Sequence, residues 1–228
     1  MLYDEPAARA NVRNRDGKRV FFLGRGDQLT SGARDFLNRE RIEIRPAEQA
    51  KIEKYRLLCG GYMEEKPEHM THLRGDVLVE KTHPRIIFRG AMDTLEAELL
   101  LCQLAAPETV RTQLEEILGL ARQLVRCEVM EEPVKWDKLC GLTERAQRQR
   151  SHRPQDFYGQ PHFMPGYTDG AVVLWLNRAR CAARAAELAA VRAFRDGEGN
   201  PTRPDILRAL NRMSSMVYIL MVQVKAGK

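Results

Sequence analysis

Apolar residues recur at helical spacing through most of the chain after residue 84. The first stripe follows Pro84 and contains Ile87, Ala91, Leu95, Leu99 and Cys102. The second follows Pro107 and contains Val110, Leu114, Ile117, Leu118, Ala121 and Val125. Because a helix presents residues three and four positions apart on one face, and because proline interrupts a helix, these stripes predict two antiparallel helices.

More helices are predicted in the last third of the chain. Residues 131–161 contain three prolines and predict a short basic helix, at 145–153, followed by a loop. A long helix is predicted over about residues 168–194, capped by Thr168 or Asp169, with an apolar face of Val172, Trp175, Leu176 and Ala179. A last helix begins at Pro204 and has an apolar face of Leu207, Leu210, Val217 and Leu220. The pattern predicts a mainly α protein, an up-and-down bundle of four or five helices.

The first 55 residues predict a small α/β appendage to this bundle. An apolar run at 20–23 and a second at 42–44 are typical of short strands, and a helix that Thr30 or Ser31 caps lies between them. The apolar stripe of that helix contains Ala33, Phe36 and Leu37. The predicted division is an appendage at 1–55, a connecting and phosphate-site segment at 56–83, and a helical-bundle domain at 84–228.

Composition narrows the class of protein and its partners. The chain has 228 residues, 43% of them hydrophobic, which is enough to form a folded core. The net charge of +6 favours an anionic partner, such as nucleic acid, an acidic membrane surface or a polyphosphate. The five cysteines are odd in number and scattered, so no disulfide framework is predicted and the expected location of the protein is a reducing cytoplasm. No signal peptide or membrane span is predicted, because no apolar stretch approaches 18 residues.

Arg180, Arg184 and Glu187 are the first candidate site residues. Their spacings of four and three put them on one face of the long helix, among alanines. Two guanidinium groups on one face are able to clamp phosphates, and the small alanines allow a ligand or a helix to approach closely. The alternative is a solvated surface pair, which contributes only a few tenths of a kcal/mol.

Two other groups of polar residues stand at helical positions. Asn211 and Ser215 lie four residues apart on the last helix, beside its apolar face, where an amide needs partners; a surface or cap-like asparagine is the alternative. Lys81, Arg85 and Arg89 precede or open the first bundle helix, with Thr71 and His72 upstream and Asp93 one turn inside. Cations beside a helix N-terminus predict a polyphosphate site, and a solvated basic run is the alternative.

No protein metal site is predicted. The histidines have neither H-x-x-x-H nor H-E-x-x-H spacing, and Cys59 has no partner in a C-x-x-C pattern.

The order of these residues resembles the cobalamin adenosyltransferases, specifically the ethanolamine-utilisation type. Residues 203–215 resemble that family's terminal R-P-D-I-L-x-A-L-N-R-x-S-S signature. Residues 81–86 and 90–95 resemble its K-x-x-P-R-I and G-x-x-D-E-L elements, and Lys66-Pro67 and Thr71-His72-Leu73 resemble its K-P and T-H-L pieces. Some members carry a C-C-x-x-C metal cluster before K-P, but here Tyr55 and Arg56 stand where the paired cysteines would be.

The resemblance implies an enzyme that transfers the adenosyl group of ATP to the cobalt of reduced cobalamin. Arg180, Arg184 and Glu187 fit the family's R-x-x-x-R-x-x-E, whose arginines hold the ATP phosphates, and Asn211 fits its nucleotide-contacting asparagine. Asp93 resembles the acid that pairs with the first arginine, Arg180. The resemblance also implies that Thr71, His72, Lys81 and Arg85 bind the triphosphate with Mg²⁺. The glycine-rich T-G-x-G-D loop of the propanediol-utilisation type is absent, so residues 71–81 take its place.

The resemblance further implies a corrinoid site and several partners. Phe163, with Met164 beside it, is the candidate for an apolar wedge beneath the corrin. Implied partners are cob(I)alamin and cob(II)alamin, a flavin-dependent reductase, and further copies of the chain in a homotrimer or a dimer. The appendage is similar to the L-T-x-x-A-R-x-x-L element of proteins linked to bacterial microcompartments, which suggests docking to such proteins. The expected location is the cytoplasm, inside or beside a microcompartment.

Two other functions remain open from sequence. One is a corrinoid or ATP carrier or scaffold without catalysis, although no D-x-H-x-x-G cobalt-binding motif is present. The other is a basic helical module that binds nucleic acid, which the 7% aromatic content and the absence of a recognition-helix pattern disfavour.

Overall fold

The computed structural model describes residues 1–15, 17–47 and 55–227, which fall into two compact units divided after Lys66. The first unit therefore extends beyond the predicted appendage at 1–55, and residues 48–54 of that appendage lie outside the described residues. The second unit contains the β-hairpin before residue 84 together with the helices, so this hairpin belongs to the same compact unit as the bundle.

The first unit is a small α/β structure, as its sequence predicts. Its elements are β1 (Leu2–Tyr3), α1 (Glu5–Ala10), β2 (Arg13–Arg15), β3 (Lys18–Leu23), β4 (Gln28–Leu29), α2 (Ser31–Arg39), β5 (Glu43–Pro46), β6 (Tyr55–Leu57) and β7 (Tyr62–Met63). Strand β3 lies between β2, which is antiparallel to it, and β5, which is parallel. Strand β1 pairs with β4 in parallel, and β6 pairs with β7 in an antiparallel hairpin.

The core of the first unit forms where α2 packs on the sheet. Thr30 caps α2, since its hydroxyl accepts a hydrogen bond of 3.2 Å from the Ala33 N–H. The predicted stripe of Ala33, Phe36 and Leu37 is fully buried, with Phe21 of β3 in the same cluster. The cap and the stripe predicted for α2 are confirmed.

The second unit is a helical bundle with one β-hairpin at its start. Its elements are β8 (Met70–Arg74), β9 (Val77–Glu80), α3 (Pro84–Ala105), α4 (Glu108–Met130), β10 (Lys138–Leu139), β11 (Leu142–Thr143), α5 (Glu144–His152), α6 (Pro154–Tyr158), a 3-10 turn (Tyr167–Asp169), α7 (Ala171–Ala193) and α8 (Pro204–Lys225). Helix α3 packs on both α4 and α7, α7 packs on α8, and α5 packs on α8. The predicted fold class, a mainly α bundle with a small α/β portion, is confirmed.

Helix α3 buries a different face from the predicted one at its start. Ile87 is 53% exposed, whereas the adjacent Phe88 is fully buried with Met92, Leu95 and Leu99. Because Ile87 and Phe88 are both apolar, the sequence is compatible with either of two apolar stripes, which lie about 100° apart around the helix axis. The Phe88 ring packs edge-on against Phe194, with 5.2 Å between ring centroids. This contact identifies the face with Phe88 as the buried one.

Helix α7 begins later than predicted, and its predicted cap is wrong. Thr168 and Asp169 belong to the 3-10 turn, and Gly170 precedes the first residue of α7. Gly170 has a φ of 85°, a backbone conformation that glycine adopts without steric cost. The Asp169 carboxylate instead accepts a 2.8 Å hydrogen bond from the Gly166 N–H and closes the turn before the helix.

The start of α8 is tied to the segment that follows α4. Asp205 in the first turn of α8 accepts a 2.9 Å hydrogen bond from the Val134 N–H, and the Arg203 guanidinium donates to both Asp205 oxygens at 3.0 and 2.9 Å. Burial acts to raise the pKa of Asp205, but the hydrogen bonds from Arg203 and Val134 outweigh it and lower the pKa to about 2. The charged carboxylate therefore stabilises this junction.

We expect Asp205→Ala to lower the free energy of unfolding by about 1–2 kcal/mol at neutral pH, because hydrogen bonds to a partly buried carboxylate are lost. The folded pKa lies below the ordinary value, so the stabilisation is present above pH 3.8 and is lost as the pH falls towards about 2. Urea unfolding at pH 7 and at low pH measures it, with the exposed Asp156→Ala as the control. An equal difference at both pH values would contradict the assignment.

Among the described residues, no helix is both long enough and apolar enough to cross a lipid bilayer.

Candidate active site

Helices α7 and α8 bring several predicted site residues to one cavity. Alanines 179, 183 and 186 are fully buried on α7 and allow it to pack closely in the bundle. Polar residues of α7 border a cavity of about 350 Å³ beside this packed face. The lining residues are Ser151, His152, His162, Arg180, Arg184, Ser214, Ser215 and Tyr218.

The two arginines of this cavity differ in their bonding. Arg180 is half-buried, and its guanidinium donates to the Asn177 side-chain oxygen at 3.2 and 3.0 Å. Arg184 is exposed, and in the described part of the chain no hydrogen bond or ion pair engages its guanidinium. Two guanidinium groups line this cavity and none of its lining residues is acidic, so the cavity attracts an anion.

Glu187 and Asn211 join α7 to α8 next to the arginines. The Asn211 amide donates to the Glu187 carboxylate at 2.9 Å, and its oxygen accepts a hydrogen bond from Arg212. Glu187, which the family pattern R-x-x-x-R-x-x-E groups with the two arginines, makes its described hydrogen bond with Asn211 instead. The hydroxyls of Ser214 and Ser215 both donate to the backbone carbonyl oxygen of Asn211 at 3.0 Å.

Tyr218 and His162 line the same cavity and were not among the predicted site residues. Tyr218 Oη lies 2.7 Å from His162 Nδ1, and His162 Nε2 lies 3.1 Å from the carbonyl oxygen of His152. Since a carbonyl oxygen only accepts, His162 donates from Nε2, and in the tautomer with hydrogen on Nε2 alone its Nδ1 accepts a hydrogen bond from the Tyr218 hydroxyl. Burial raises the pKa of Tyr218, an effect that a backbone hydrogen bond to Phe163 and the nearby Arg180 charge oppose. Tyr218 follows Asn211 by seven residues, the spacing of one helix face, and this is the signal in the sequence that identifies it.

Phe163 and Met164 lie in the loop before α7. Phe163 is half-buried against the bundle core, and its ring stacks on Tyr218 with 6.4 Å between centroids. Met164 is 90% exposed. Phe163 therefore adjoins the arginine cavity through Tyr218.

Three other predicted ATP residues, Thr71, His72 and Lys81, lie in or just after the β8–β9 hairpin and are not part of the lining of that cavity. Thr71 and His72 belong to β8, and His72 Nδ1 lies 2.9 Å from the Gly75 carbonyl oxygen. Lys81 is exposed just after β9, and its N–H donates to the His69 carbonyl oxygen at 2.9 Å. Asp93 is exposed on α3, and in the described chain no ion pair joins it to Arg180. Among the described residues of this one chain, the predicted Asp93–Arg180 pair is not formed.

Arg85 forms part of a buried ionic cluster at the start of α3. Glu128 of α4 is fully buried and binds the guanidinium groups of both Arg85 and Arg89, the latter at 2.7 Å. Arg85 also donates to the Glu128 carbonyl oxygen at 2.9 Å, and Arg89 donates to the Leu73 carbonyl oxygen at 2.7 Å. The cluster thus ties α3 and α4 to strand β8. An ATP-binding role for Arg85 stays a prediction, and its guanidinium is engaged with Glu128.

Residues 61–224 match the family described as cobalamin adenosyltransferase, which covers more than half of the chain. The chain belongs to the cobalamin adenosyltransferase family. It is also similar to the corrinoid adenosyltransferase EutT of Salmonella typhimurium strain LT2, with 33% identity over 165 residues, and to EutT of Escherichia coli K12, with 31% identity over 165 residues. Each alignment covers 72% of this chain and 62% of the relative, which is less than two thirds of the relative's length. The predicted family resemblance is confirmed.

The part of the chain that matches the cobalamin adenosyltransferase family includes both groups of predicted site residues. It begins at residue 61, before the β8–β9 hairpin, and ends at residue 224, near the end of α8. Most of the first unit precedes the matched range.

A protein metal centre is not evident in the described part of this family member. No group of three histidine, cysteine, aspartate or glutamate side chains there has the geometry to hold a metal ion. Cys59 is exposed, while burial raises the pKa values of Cys102 and Cys140 to about 12, so these two thiols stay protonated at neutral pH.

Proposed function

We propose that the protein is an ATP:cob(I)alamin adenosyltransferase. The observation that carries the proposal is the cavity beside α8 in which α7 places Arg180 and Arg184 together, in a member of the cobalamin adenosyltransferase family. In the proposed reaction the electron pair of Co(I) forms a bond to C5′ of ATP. The C5′–O bond breaks, and the triphosphate leaves with that electron pair.

Charge stabilisation is the main task of the protein in this reaction. The cobalt nucleophile needs no general base, so the protein positions C5′ and stabilises the negative charge that develops on the leaving triphosphate. Arg184 is exposed beside the cavity and supplies a fork of donors that suits phosphate oxygens. Arg180 exchanges its hydrogen bonds with Asn177 for a phosphate oxygen. The Mg²⁺ ion enters the site bound to ATP.

Asn211 and Glu187 act as a pair in the proposed site. Glu187 holds the Asn211 amide in place through one N–H, and the second N–H of the amide remains for the nucleoside. Phe163 and Met164 contact the corrinoid from the adjoining loop. Tyr218 lies between the two halves of the site because it lines the arginine cavity and also stacks on Phe163.

The β8–β9 hairpin residues complete the site from a second copy of the chain in a homotrimer or dimer. Thr71, His72 and Lys81 do not line the arginine cavity of their own chain, so in this proposal the partner subunit supplies them to the triphosphate. The same arrangement brings Asp93 to Arg180 across the interface. A flavin-dependent reductase supplies the electron that reduces cob(II)alamin to cob(I)alamin. The first unit docks to microcompartment proteins in the cytoplasm.

The proposed activity is tested anaerobically with purified protein, MgATP and chemically reduced cob(I)alamin, by following the change to the adenosylcobalamin spectrum. Catalytic formation of a light-sensitive product is the expected result. Tight binding of corrinoid or ATP without product would instead favour a carrier, and salt-sensitive binding of nucleic acid alone would favour the basic binding module.

A shared site also predicts complementation between two inactive variants. Lys81→Ala and Arg184→Ala are each expected to lose most activity. When the two are co-expressed at equal levels, about a quarter of the sites combine an intact Lys81 with an intact Arg184 if these residues come from different subunits. Recovery of about a quarter of the wild-type rate in the mixed protein is the expected result. No recovery would place both residues in the site from one chain.

A further inference from the structure

The last turn of α8 holds the loop that carries Phe163 and Met164. Lys225, three residues before the end of the chain, reaches this loop with its ammonium group. Lys225 Nζ lies 4.4 Å from the centroid of the Phe163 ring and 2.5 Å from Asp169 Oδ1. One side chain thus makes a cation–π contact and an ion pair with residues six positions apart in the loop.

Asp169 connects this contact to the loop backbone. Its Oδ1 accepts from Lys225, while its Oδ2 accepts a 2.8 Å hydrogen bond from the Gly166 N–H. The Asp169 N–H in turn donates to the Gly166 carbonyl oxygen at 3.0 Å. The Gly166 N–H, and after it Lys225, lowers the pKa of Asp169, which keeps the carboxylate charged at neutral pH.

Two residues of α8 hold the Phe163 ring. Tyr218 stacks on it with 6.4 Å between centroids and 27° between the planes, and Lys225 lies over it two turns further along the helix. Met164 is the next residue and is 90% exposed, so the direction in which it projects depends on how Phe163 is held.

We infer that Lys225 is a positioning residue for the corrinoid, acting through Phe163 and Asp169. This inference rests on the proposed function. Lys225 does not line the arginine cavity, so it acts on the loop that meets the corrinoid and leaves the ATP half of the site unchanged. Loss of the Lys225 side chain is therefore expected to weaken the binding of the corrinoid and not that of ATP.

The test compares Lys225→Met, which keeps an apolar stem, with Lys225→Arg, which keeps the charge. Lys225→Met is expected to raise the KM for the corrinoid by about 5- to 30-fold, while the KM for ATP stays within about twofold. Lys225→Arg, which keeps the charge, is expected to leave the KM for the corrinoid close to the wild-type value. Lys138→Met removes a positive charge from an exposed residue of strand β10 and serves as the matched control. An unchanged corrinoid KM, or an equal rise for ATP, would overturn the inference.

Hydrogen exchange provides a readout that needs no catalysis. In Lys225→Met the backbone N–H groups of residues 162–164 and 166–169 are expected to exchange faster, with Gly166 affected most, while those of α3 and α4 are unchanged. Lys225→Arg and Lys138→Met are expected to match the wild type. Unchanged exchange at 162–169 would show that Lys225 does not hold the loop. If the wild type forms no adenosylcobalamin, the proposed function fails separately, and the exchange result still decides whether Lys225 holds this loop.

Discussion

Arg184→Ala is expected to lower kcat/KM for adenosyl transfer by about 10²–10³-fold, because one charged donor to the leaving triphosphate is removed. The fold is expected to remain intact. Arg184 is exposed and has no hydrogen bond or ion pair among the described residues, so the free energy of unfolding should change by less than about 0.5 kcal/mol. The anaerobic cob(I)alamin assay gives the rate, and urea unfolding gives the stability.

The matched control for this prediction is Arg192→Ala. Arg192 lies eight residues further along α7, is exposed, and is absent from the lining of the arginine cavity. It should retain wild-type activity. Arg184→Lys keeps the charge but loses the planar fork, so an intermediate rate is expected. Near-normal turnover of Arg184→Ala would remove Arg184 from the site, and equal losses in Arg192→Ala would point to a general charge effect.

Helix α4 shows why much of the fold is predictable from the sequence. Its predicted stripe runs from Val110 to Val125 at helical spacing, and all six of its residues are buried or half-buried. Helix α7 shows the limit of such patterns. Its start depends on Gly170 and on the Asp169–Gly166 turn, and several capping residues stand together there, so spacing alone does not select one.

The candidate site was predictable where its residues share one helix. Arg180 and Arg184 lie four residues apart, and α7 presents both to the same cavity. Partners distant in sequence were not predictable in the same way. Tyr218 reaches His162 across 56 residues, and Arg85 reaches Glu128 across 43 residues. Such contacts depend on how helices pack, which a single sequence pattern does not reveal.

Glu128 carries a signal that the sequence pattern does contain. It continues the buried stripe of α4 seven residues after Ala121, at a position that an apolar residue would normally occupy. A carboxylate at such a position must be paired if it is buried, since an unpaired buried charge is strongly destabilising. A cationic partner from another element is therefore expected, and Arg85 and Arg89 of α3 are the partners.

Glu128→Ala is expected to lower the free energy of unfolding by about 3–5 kcal/mol, because it leaves two partly buried guanidinium groups without their shared carboxylate. Urea unfolding measures the loss, and Glu96→Ala is the control, since its pair with the exposed Arg122 should contribute less than about 1 kcal/mol.

Arg85→Ala then distinguishes a structural role of the cluster from direct ATP binding. If Arg85 acts only through Glu128, its loss should destabilise the protein and leave the KM for ATP within about twofold at a temperature where the variant is folded. A large rise in the KM for ATP without loss of stability would instead confirm the predicted ATP contact. A Glu128→Ala protein as stable as the wild type would contradict the buried cluster, because no other described residue offers Arg85 and Arg89 a buried carboxylate.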